Sequence, residues 1–300
     1  MIATSLEDVC LVTVNYRGII GIGRLLESLT RLEARQRLRV VIVHNGATAR
    51  SREDLERIVA TYPGKVEVVY SAENLWYWRA AARVIGRELG NPALGAAWFV
   101  VCNDDVVFPD PGFVRTLLTL DAETHAVVAP DIVSETTGER QNPFQRSEMG
   151  RWELLKWRLY FAHYFFARAL LAADALTRPL RRWRWRRTAG PPQVPALQGC
   201  EERIHAPHGA CIVFARSFFE RGGVMDTGFT AYGEEMSVAA IAKRLGLPIV
   251  FSPQLKVVHG EHSSTGIRLT REKYRFQKQA FGHCLNSYGD LLTDGARRRA

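Results

Sequence analysis

Two adjacent carboxylates follow an apolar run in the stretch VVCNDDVVF at residues 100–108. Acids so close together near a core repel each other and lose hydration unless a partner offsets the cost. Hard divalent cations take carboxylate oxygens as ligands, and a bound diphosphate can complete their coordination sphere. We therefore predict that Asp105, with Asp104 as a second candidate, supplies ligands to a divalent cation. The alternative is that both acids merely begin the loop before Pro109.

Two further groups could take part in such chemistry. His259 ends an apolar strand, and a neutral imidazole can ligate Mn²⁺ together with carboxylates, although a lone histidine is commonly structural. Glu234 and Glu235 stand at the start of a predicted helix, where acids complement the helix dipole. A carboxylate in this position could equally serve as a general base.

A competing metal site can be written from softer ligands. Cys200, His205, His208 and Cys211 offer the four ligands of a tetrahedral zinc site. Their spacing is irregular, and Cys211 opens the apolar run CIVF, in which strand alternation would bury it. The five cysteines are scattered, which is typical of buried thiols in a reducing compartment. With no secretory signal recognisable at residues 1–8, we expect a cytoplasmic protein.

The elements that must position these residues alternate along the first half of the chain. Apolar runs predict strands and amphipathic segments predict helices, which together indicate a parallel sheet covered on both faces. We expect strands near 9–15, 38–45, 65–70 and 96–102, with helices over 21–36, from Ser51 onward and over 76–89. Ligands of such sheets bind beyond the carboxyl ends of the strands. One crevice should therefore be lined by the polar residues that end these strands: Asn15, His44, Asn45, Glu73, Asn74, Asn103, Asp104 and Asp105.

Residues 151–190 interrupt this alternation. The segment RWELLKWRLYFAHYFFARALLAADAL is aromatic and apolar nearly all round, and the arginines of 178–187 account for most of the net charge of +9. Charges interrupt the segment too often for a spanning helix, whereas aromatic residues mixed with arginine suit a helix in the interface of an anionic membrane. The alternative is a helical insertion packed on the domain, and nucleic-acid binding through the arginines is the weakest of the three.

Beyond the insertion, the sequence predicts a strand and a helix over 208–223 and a helix over 231–246. Two short strands are predicted within 248–264.

Four motifs, taken in order, resemble those of family 2 glycosyltransferases. VTVNYRG at 12–18 is similar to their opening strand, and VVCNDDVVF is similar to their metal-binding segment. GGVMDTGFTAYGEEMSVAAIAKRLG at 222–246 resembles the stretch around their catalytic aspartate, and KVVHGEHSS at 256–264 resembles their closing histidine motif. The set is most similar to the rhamnosyltransferase-like branch that acts on bacterial surface polysaccharides.

The resemblance implies an α/β fold of GT-A type, with a Rossmann-like, mostly parallel central sheet flanked by helices and a helical aromatic and basic insertion. One domain would span 1–300. Residues 1–130 would be the nucleotide-sugar-binding half, and 151–190 the membrane-interfacial helical insertion. Residues 200–265 would form the acceptor and catalytic half, and 266–300 a helical tail.

The activity implied by the resemblance is inverting, metal-dependent glycosyl transfer in surface polysaccharide biosynthesis. The cofactor would be Mn²⁺ or Mg²⁺, and the donor a UDP-, dTDP- or GDP-linked sugar. The acceptor would be a glycan or a polyprenyl-linked glycan. Such an acceptor would place the protein on the anionic inner face of the plasma membrane.

Matched position by position, the resemblance assigns metal binding to Asp105 and His259. It assigns the general base to Glu235, with Glu234 before it. The residues assigned to the acceptor are His208 and Gly209. The donor-binding set comprises Asn15, His44, Asn45, Glu73, Asn74, Arg79, Asn103 and Asp104, of which Arg79 would meet the diphosphate.

The chain departs from the family pattern at three points. Glu235 stands where the family has aspartate, which lengthens the reach of the carboxylate and leaves the choice between Glu234 and Glu235 open. His44 replaces an aspartate that accepts a hydrogen bond from the base, a role that a neutral imidazole can also fill. Trp76 and Trp78 replace small residues, and they either stack on the donor or pack in the core.

Two other classes of function compete with this interpretation. A sugar nucleotidyltransferase also needs a metal and a diphosphate, but NYRGIIGIGR at 15–24 lacks the lysine expected in its phosphate loop. A catalytically silent, arginine-rich membrane or nucleic-acid binding protein on the same fold is favoured if the departures at Glu235 and His44 have removed activity.

Overall fold

The computed structural model of the chain describes residues 8–16, 19–91, 93–173, 200–260 and 269–293. Within these ranges the strands β1 to β9 are Val9–Tyr16, Leu38–Asn45, Lys65–Ser71, Trp98–Asn103, Val106–Val107, Val127–Ser134, Glu202–Ile204, Cys211–Ala215 and Ile249–His259. Helices α1 to α5 are Ile20–Thr30, Ala49–Val59, Tyr77–Gly90, Phe113–Leu117 and Arg151–Ala162. Residues 164–173 form α6. Helices α7 to α9 are Arg216–Glu220, Glu234–Arg244 and Arg271–Leu292.

All nine described strands belong to one sheet. Their order is β3-β2-β1-β4-β8-β6-β9-β5, and β7 pairs with β9 off this path. The predicted parallel arrangement holds for β3, β2, β1 and β4, and β6 also pairs in parallel with β9. The remaining pairs, β4 with β8, β6 with β8, β5 with β9 and β7 with β9, are antiparallel. The second half of the chain therefore extends the sheet begun by the first, and the sheet is mixed.

Helices cover both faces of this sheet, as the continuous apolar strands predict. Successive residues of β1 point to opposite sides, so Cys10 lies in one buried cluster and Leu11 in the other. The first cluster includes residues of α3, α8 and α9, and the second includes residues of α1 and α2. With both faces covered, ligands can reach the sheet at its strand ends.

Two helices differ in extent from the sequence prediction. Helix α1 stops at Thr30, earlier than expected, and Ala34 then adopts a left-handed conformation with φ of 57° before the chain enters β2. Helix α2 begins before Ser51, because Thr48 is its N-cap. Ser51 is the third residue of a capping box, in which each side chain binds the other residue's backbone N–H.

The last strand is continuous. Instead of two short strands, Ile249–His259 forms the single strand β9. Its register against β6 shifts between Pro130 and Asp131. Pro253 lies in the irregular stretch of β9, and proline has no N–H with which to continue a ladder. The irregularity lies before His259, which is the last residue of β9.

The helical insertion packs on α9. Tyr160, Phe161 and Ala167 form a buried cluster with Tyr274 and Phe281. The arginine block at 178–187 lies outside the described residues. Among the helices that the structure describes, none is both long enough and apolar enough to cross a membrane.

The centre of the core yields a stability prediction. Phe214 on β8 is fully buried and its ring packs against Trp78, Phe218 and Phe219. We expect Phe214→Ala to lower the free energy of unfolding by about 3–5 kcal/mol, because the lost ring leaves a cavity. Urea denaturation of both proteins measures the difference.

Phe144 provides the matched control, since its side chain is 50% exposed. Phe144→Ala should change the free energy of unfolding by about 0.5 kcal/mol or less. Equal losses in the two variants would contradict the assignment of Phe214 to the core.

Candidate active site

The segment Asn103–Asp105 leaves the carboxyl end of β4 between α1 and the end of β9. A Cβ atom on Gly21 of α1 would lie 2.6 Å from the Asp104 carbonyl oxygen, so only glycine fits there without displacement. On the other side, the Gly260 N–H donates to the Asp105 carbonyl oxygen at 2.9 Å. The backbone that carries both acids is therefore held from two sides.

Asp104 belongs to a buried chain of hydrogen bonds that reaches α2. Asn15 Nδ2 donates to Asp104 Oδ2 at 2.6 Å, and Asn15 Oδ1 lies 2.7 Å from His44 Nδ1. His44 Nε2 lies 2.8 Å from Ser51 Oγ. Because the Asn15 oxygen can only accept, His44 Nδ1 carries the hydrogen, and Nε2 can accept from the Ser51 hydroxyl. Burial and the nearby Arg52 lower the pKa of His44, which favours this neutral form.

Asp105 and His259 face each other where β5 pairs with β9. His259 Nε2 lies 3.4 Å from Asp105 Oδ1 and 3.4 Å from Asn103 Nδ2. The other ring nitrogen, Nδ1, lies 2.9 Å from Gln141 Oε1, so in a neutral imidazole Nδ1 carries the hydrogen. His259 Nε2 then directs a lone pair towards the Asp105 carboxylate. Two electron-pair donors arranged in this way suit a shared cation, with Gln141 orienting the imidazole.

This pair fits a divalent cation that also binds substrate oxygens. Among the described residues, no group of three or more His, Cys, Asp and Glu side chains could hold a metal ion alone. Mg²⁺ typically uses one or two protein carboxylates and takes its other ligands from phosphates and water. The structure does not assemble the alternative zinc site, because Cys200 is exposed whereas Cys211 is buried within β8.

Glu234 and Glu235 begin α8 against the loop that contains Gly209. The Gly209 N–H donates to Glu235 Oε1 at 3.1 Å, and the Gly233 N–H donates to Glu234 Oε2 at 2.9 Å. Burial raises the pKa of both glutamates, and repulsion from Glu234 helps to raise the pKa of Glu235 to about 8. A carboxylate with such a pKa can take up a proton near neutral pH, which is what a general base requires.

The loop around Gly209 joins these two groups of residues. The ring centroid of His208 lies 5.9 Å from that of His259, and the His208 N–H donates to Asn142 Oδ1 at 2.8 Å. The Tyr77 hydroxyl donates to the Gly209 carbonyl oxygen at 3.1 Å. Burial and the neighbouring His259 lower the pKa of His208 to about 4, so this imidazole is neutral. The loop therefore lies between the pair Asp105 and His259 and the pair of glutamates.

The other residues predicted to bind the donor have different surroundings. Asn45 is buried and its Oδ1 accepts from a backbone N–H of the loop before α3 at 3.3 Å. Asn74 Oδ1 accepts from the Trp76 N–H at 2.9 Å, within the same loop. Glu73 and Arg79 have exposed side chains. Donor binding by these residues stays a prediction.

The two tryptophans of this region are not equivalent. Trp78 is 1% exposed and packs against Phe214, so the packing alternative holds for Trp78. Trp76 is half-buried and lies edge-on to Phe276 of α9, with 4.8 Å between the ring centroids. Trp76 also has a positive φ of 61°, an uncommon conformation for a bulky side chain.

Several side chains of the site carried no usable signal in the sequence. Gln141 and Asn142 follow β6 in an irregular stretch where neither strand nor helix periodicity marks them. Ser51 was recognisable only as a capping residue. Tyr77 stands in the segment that departs from the family pattern, and its aromatic hydroxyl was the only available cue.

Comparison with known proteins bears on the family and the fold of the chain. The sequence model described as Glycosyl transferase family 2 matches residues 8–176. None of the curated proteins matches the chain.

Two solved structures resemble the fold. One is described as GalNAc-T7 with UDP, GalNAc and Mn²⁺; it is 14% identical, with a TM-score of 0.55, and the alignment covers 86% of this chain and 44% of that one. This chain thus spans less than half the length of that structure. The other is the mannosyltransferase PcManGT from Pyrobaculum calidifontis in complex with GDP-Man and Mn²⁺, 15% identical, with a TM-score of 0.49 and coverages of 98% and 75%. The first likeness confirms the GT-A type α/β fold predicted from the sequence.

The contact between the loop and the glutamates yields a second prediction. A Cβ atom on Gly209 would lie 2.7 Å from Glu234 Cγ and 2.8 Å from Glu235 Oε1. We expect Gly209→Ala to destabilise the protein by about 1–3 kcal/mol, because the added methyl group overpacks this site. Chemical denaturation followed by tryptophan fluorescence measures the change.

Gly86 of α3 is the matched control, because a Cβ atom there would meet nothing within 4 Å. Gly86→Ala should be neutral or stabilise by up to about 1 kcal/mol, as in an exposed helix interior. If both variants behave alike, Gly209 does not pack against the glutamates.

Proposed function

Since the chain belongs to glycosyl transferase family 2, we propose that it transfers a sugar from a nucleotide-diphosphate donor to a hydroxyl group of a glycan or polyprenyl-linked acceptor. The observation that carries this proposal is the placement of two groups of side chains around one loop. Asp105 and His259 lie on one side of residues 208–209, and Glu235 lies on the other. An inverting single displacement needs these two functions, one on the leaving diphosphate and one on the attacking hydroxyl.

The donor side of the site would hold the metal. Asp105 and His259 would bind Mn²⁺ or Mg²⁺, with Gln141 keeping His259 Nε2 directed at the cation. When bound, the cation neutralises charge on the leaving diphosphate. Asp104 is engaged by Asn15, which supports a role in positioning rather than in ligation. The nucleotide would lie along the carboxyl ends of the parallel strands.

The acceptor side of the site would hold the base. Glu235 would accept the proton of the acceptor hydroxyl while the hydroxyl oxygen bonds to the anomeric carbon and the bond to the diphosphate breaks. Its raised pKa supports this role, and Glu234 contributes by repulsion. His208 and Gly209 would border the acceptor. The rhamnosyltransferase-like branch and surface polysaccharide biosynthesis stay predictions from the motifs.

Removal of the metal ligand tests the donor side. We expect UDP, dTDP or GDP to bind more tightly with Mn²⁺ than without it, as measured by calorimetric titration. Loss of a residue that merely supports a metal ligand lowers metal affinity about 10–100-fold. Asp105→Ala removes a ligand itself, so it should weaken the Mn²⁺-dependent nucleotide binding by at least that factor. Asp121→Ala, which removes an exposed carboxylate, should leave binding unchanged. Absence of metal-dependent nucleotide binding in the unaltered protein would rule out the metal-dependent transferase and favour the silent binding protein.

The pH profile tests the base. A general base works only when deprotonated, so the raised pKa of Glu235 shifts the onset of activity to higher pH. We expect kcat/KM to be low at pH 6 and to rise through about pH 8. Glu235→Gln should lower turnover by about 10²–10⁴-fold with nucleotide binding intact. Glu234→Gln removes the repulsion, so the rising limb should move to lower pH. If Glu234→Gln abolishes turnover and Glu235→Gln does not, the roles of the two residues are exchanged.

A further inference from the structure

Exposed apolar side chains are concentrated on α5 and α6. Among the residues that the structure describes, eleven large apolar side chains are exposed, and seven of them lie between 152 and 171. These seven are Trp152, Leu155, Leu159, Phe165, Phe166, Leu170 and Leu171. Trp152 is 72% exposed, and Phe165 and Phe166 are each 60% exposed. A concentration of this kind marks an interaction surface, whereas the other four residues are scattered along the chain.

Other side chains of the two helices fix them to the protein. Tyr160, Phe161 and Ala167 are buried against α9. The Tyr164 hydroxyl donates to the Leu269 carbonyl oxygen at 3.0 Å. The two helices are therefore already packed on the protein through other side chains. The apolar side chains listed above remain exposed although the helices that carry them are docked.

Charge indicates what kind of partner this surface fits. Arg151, Lys156, Arg158 and Arg168 are exposed on the same two helices, and Glu153 is the only acid between 151 and 173. The sequence then continues into the arginine block at 178–187. A second copy of the chain would bring like charges together across a two-fold interface. Aromatic and aliphatic side chains interspersed with cations match the interface of a bilayer that contains anionic lipid.

We propose that α5 and α6 dock on the surface of an anionic lipid bilayer through this exposed face. The helices lie on the bilayer and do not span it: the apolar side chains enter the acyl boundary, and the cations meet the headgroups. Met236, the residue after Glu235, packs against the buried cluster of this insertion. The start of α8 is thus packed on the same helices that dock, and a polyprenyl-linked acceptor would present its sugar from the bilayer to which they bind. This last step rests on the proposed function, whereas docking itself does not.

Flotation of the full chain with lipid vesicles tests the docking. The protein should float with phosphatidylcholine vesicles that contain phosphatidylglycerol, and float less with phosphatidylcholine alone. Phe165→Ser combined with Phe166→Ser should weaken binding by about ten-fold or more, because interfacial affinity follows the apolar area buried. The matched control is Ile20→Ser combined with Val224→Ser, which alters exposed apolar residues elsewhere and should bind like the unaltered protein.

A charge variant separates the two contributions. Arg151→Gln, Lys156→Gln and Arg158→Gln together should remove most of the preference for phosphatidylglycerol while leaving weak binding that depends on the apolar residues. If the unaltered protein does not float, or if the apolar variant floats equally well, the proposal is overturned. A dimer in light scattering that the apolar variant converts to a monomer, without vesicle binding, would assign this face to a second copy instead.

Nucleotide titration distinguishes a failure of docking from a failure of the proposed function. Both insertion variants should bind nucleotide with Mn²⁺ like the unaltered protein, because none of the altered residues is assigned to the metal or to the donor. Vesicle binding without nucleotide binding would support docking and contradict the transferase. Nucleotide binding without vesicle binding would do the reverse.

Discussion

The backbone of Asp104 and Asp105 runs between Gly21 and Gly260, and the arrangement of the site follows from that close approach. The gap beside Gly21 admits no side chain, and Gly260 binds the Asp105 carbonyl. Two carboxylates thus leave one strand end with little backbone freedom. Each needs its own partner, because a buried charge without one is costly. Asp104 binds Asn15, whereas Asp105 faces His259.

The two pairs of acids in the site solve the problem of burial differently. Asp104 and Asp105 have separate partners, because Asn15 binds Asp104 whereas His259 faces Asp105. Glu234 and Glu235 share one helix start, where burial raises the pKa of both and repulsion from Glu234 raises that of Glu235 further, against the stabilisation by backbone N–H groups. The result is a site with the carboxylate of Asp105 facing an imidazole on one side and a carboxyl group of raised pKa on the other. The loop at 208–209 contacts both groups, through His208 near His259 and through the Gly209 N–H at Glu235.

Much of the fold could be predicted because strands such as β1, β2 and β4 are mostly apolar along their length. The run WFVVC predicts a buried strand, and the alternation of such runs with amphipathic helices indicates a sheet covered on both faces. The ends of elements were predicted less well. Helix α1 ends at Thr30 although the apolar periodicity continues to residue 36, and the capping box places the N-cap of α2 at Thr48. Such ends depend on single backbone conformations, which periodicity does not encode.

The sequence by itself determined which residues could do chemistry and at which strand ends they stand. Asp105 could be selected because it follows an apolar run beside a second acid, and the resemblance of four ordered motifs to a known family assigned the metal to Asp105 and His259 and the base to Glu235. Only the tertiary structure decided which of them meet: His44 packs onto Asn15, and Gln141 orients His259. Tertiary packing also separated the buried Trp78 from Trp76. The physical reason is that a partner's identity depends on contacts between residues far apart in the chain, and local pattern carries no information about them.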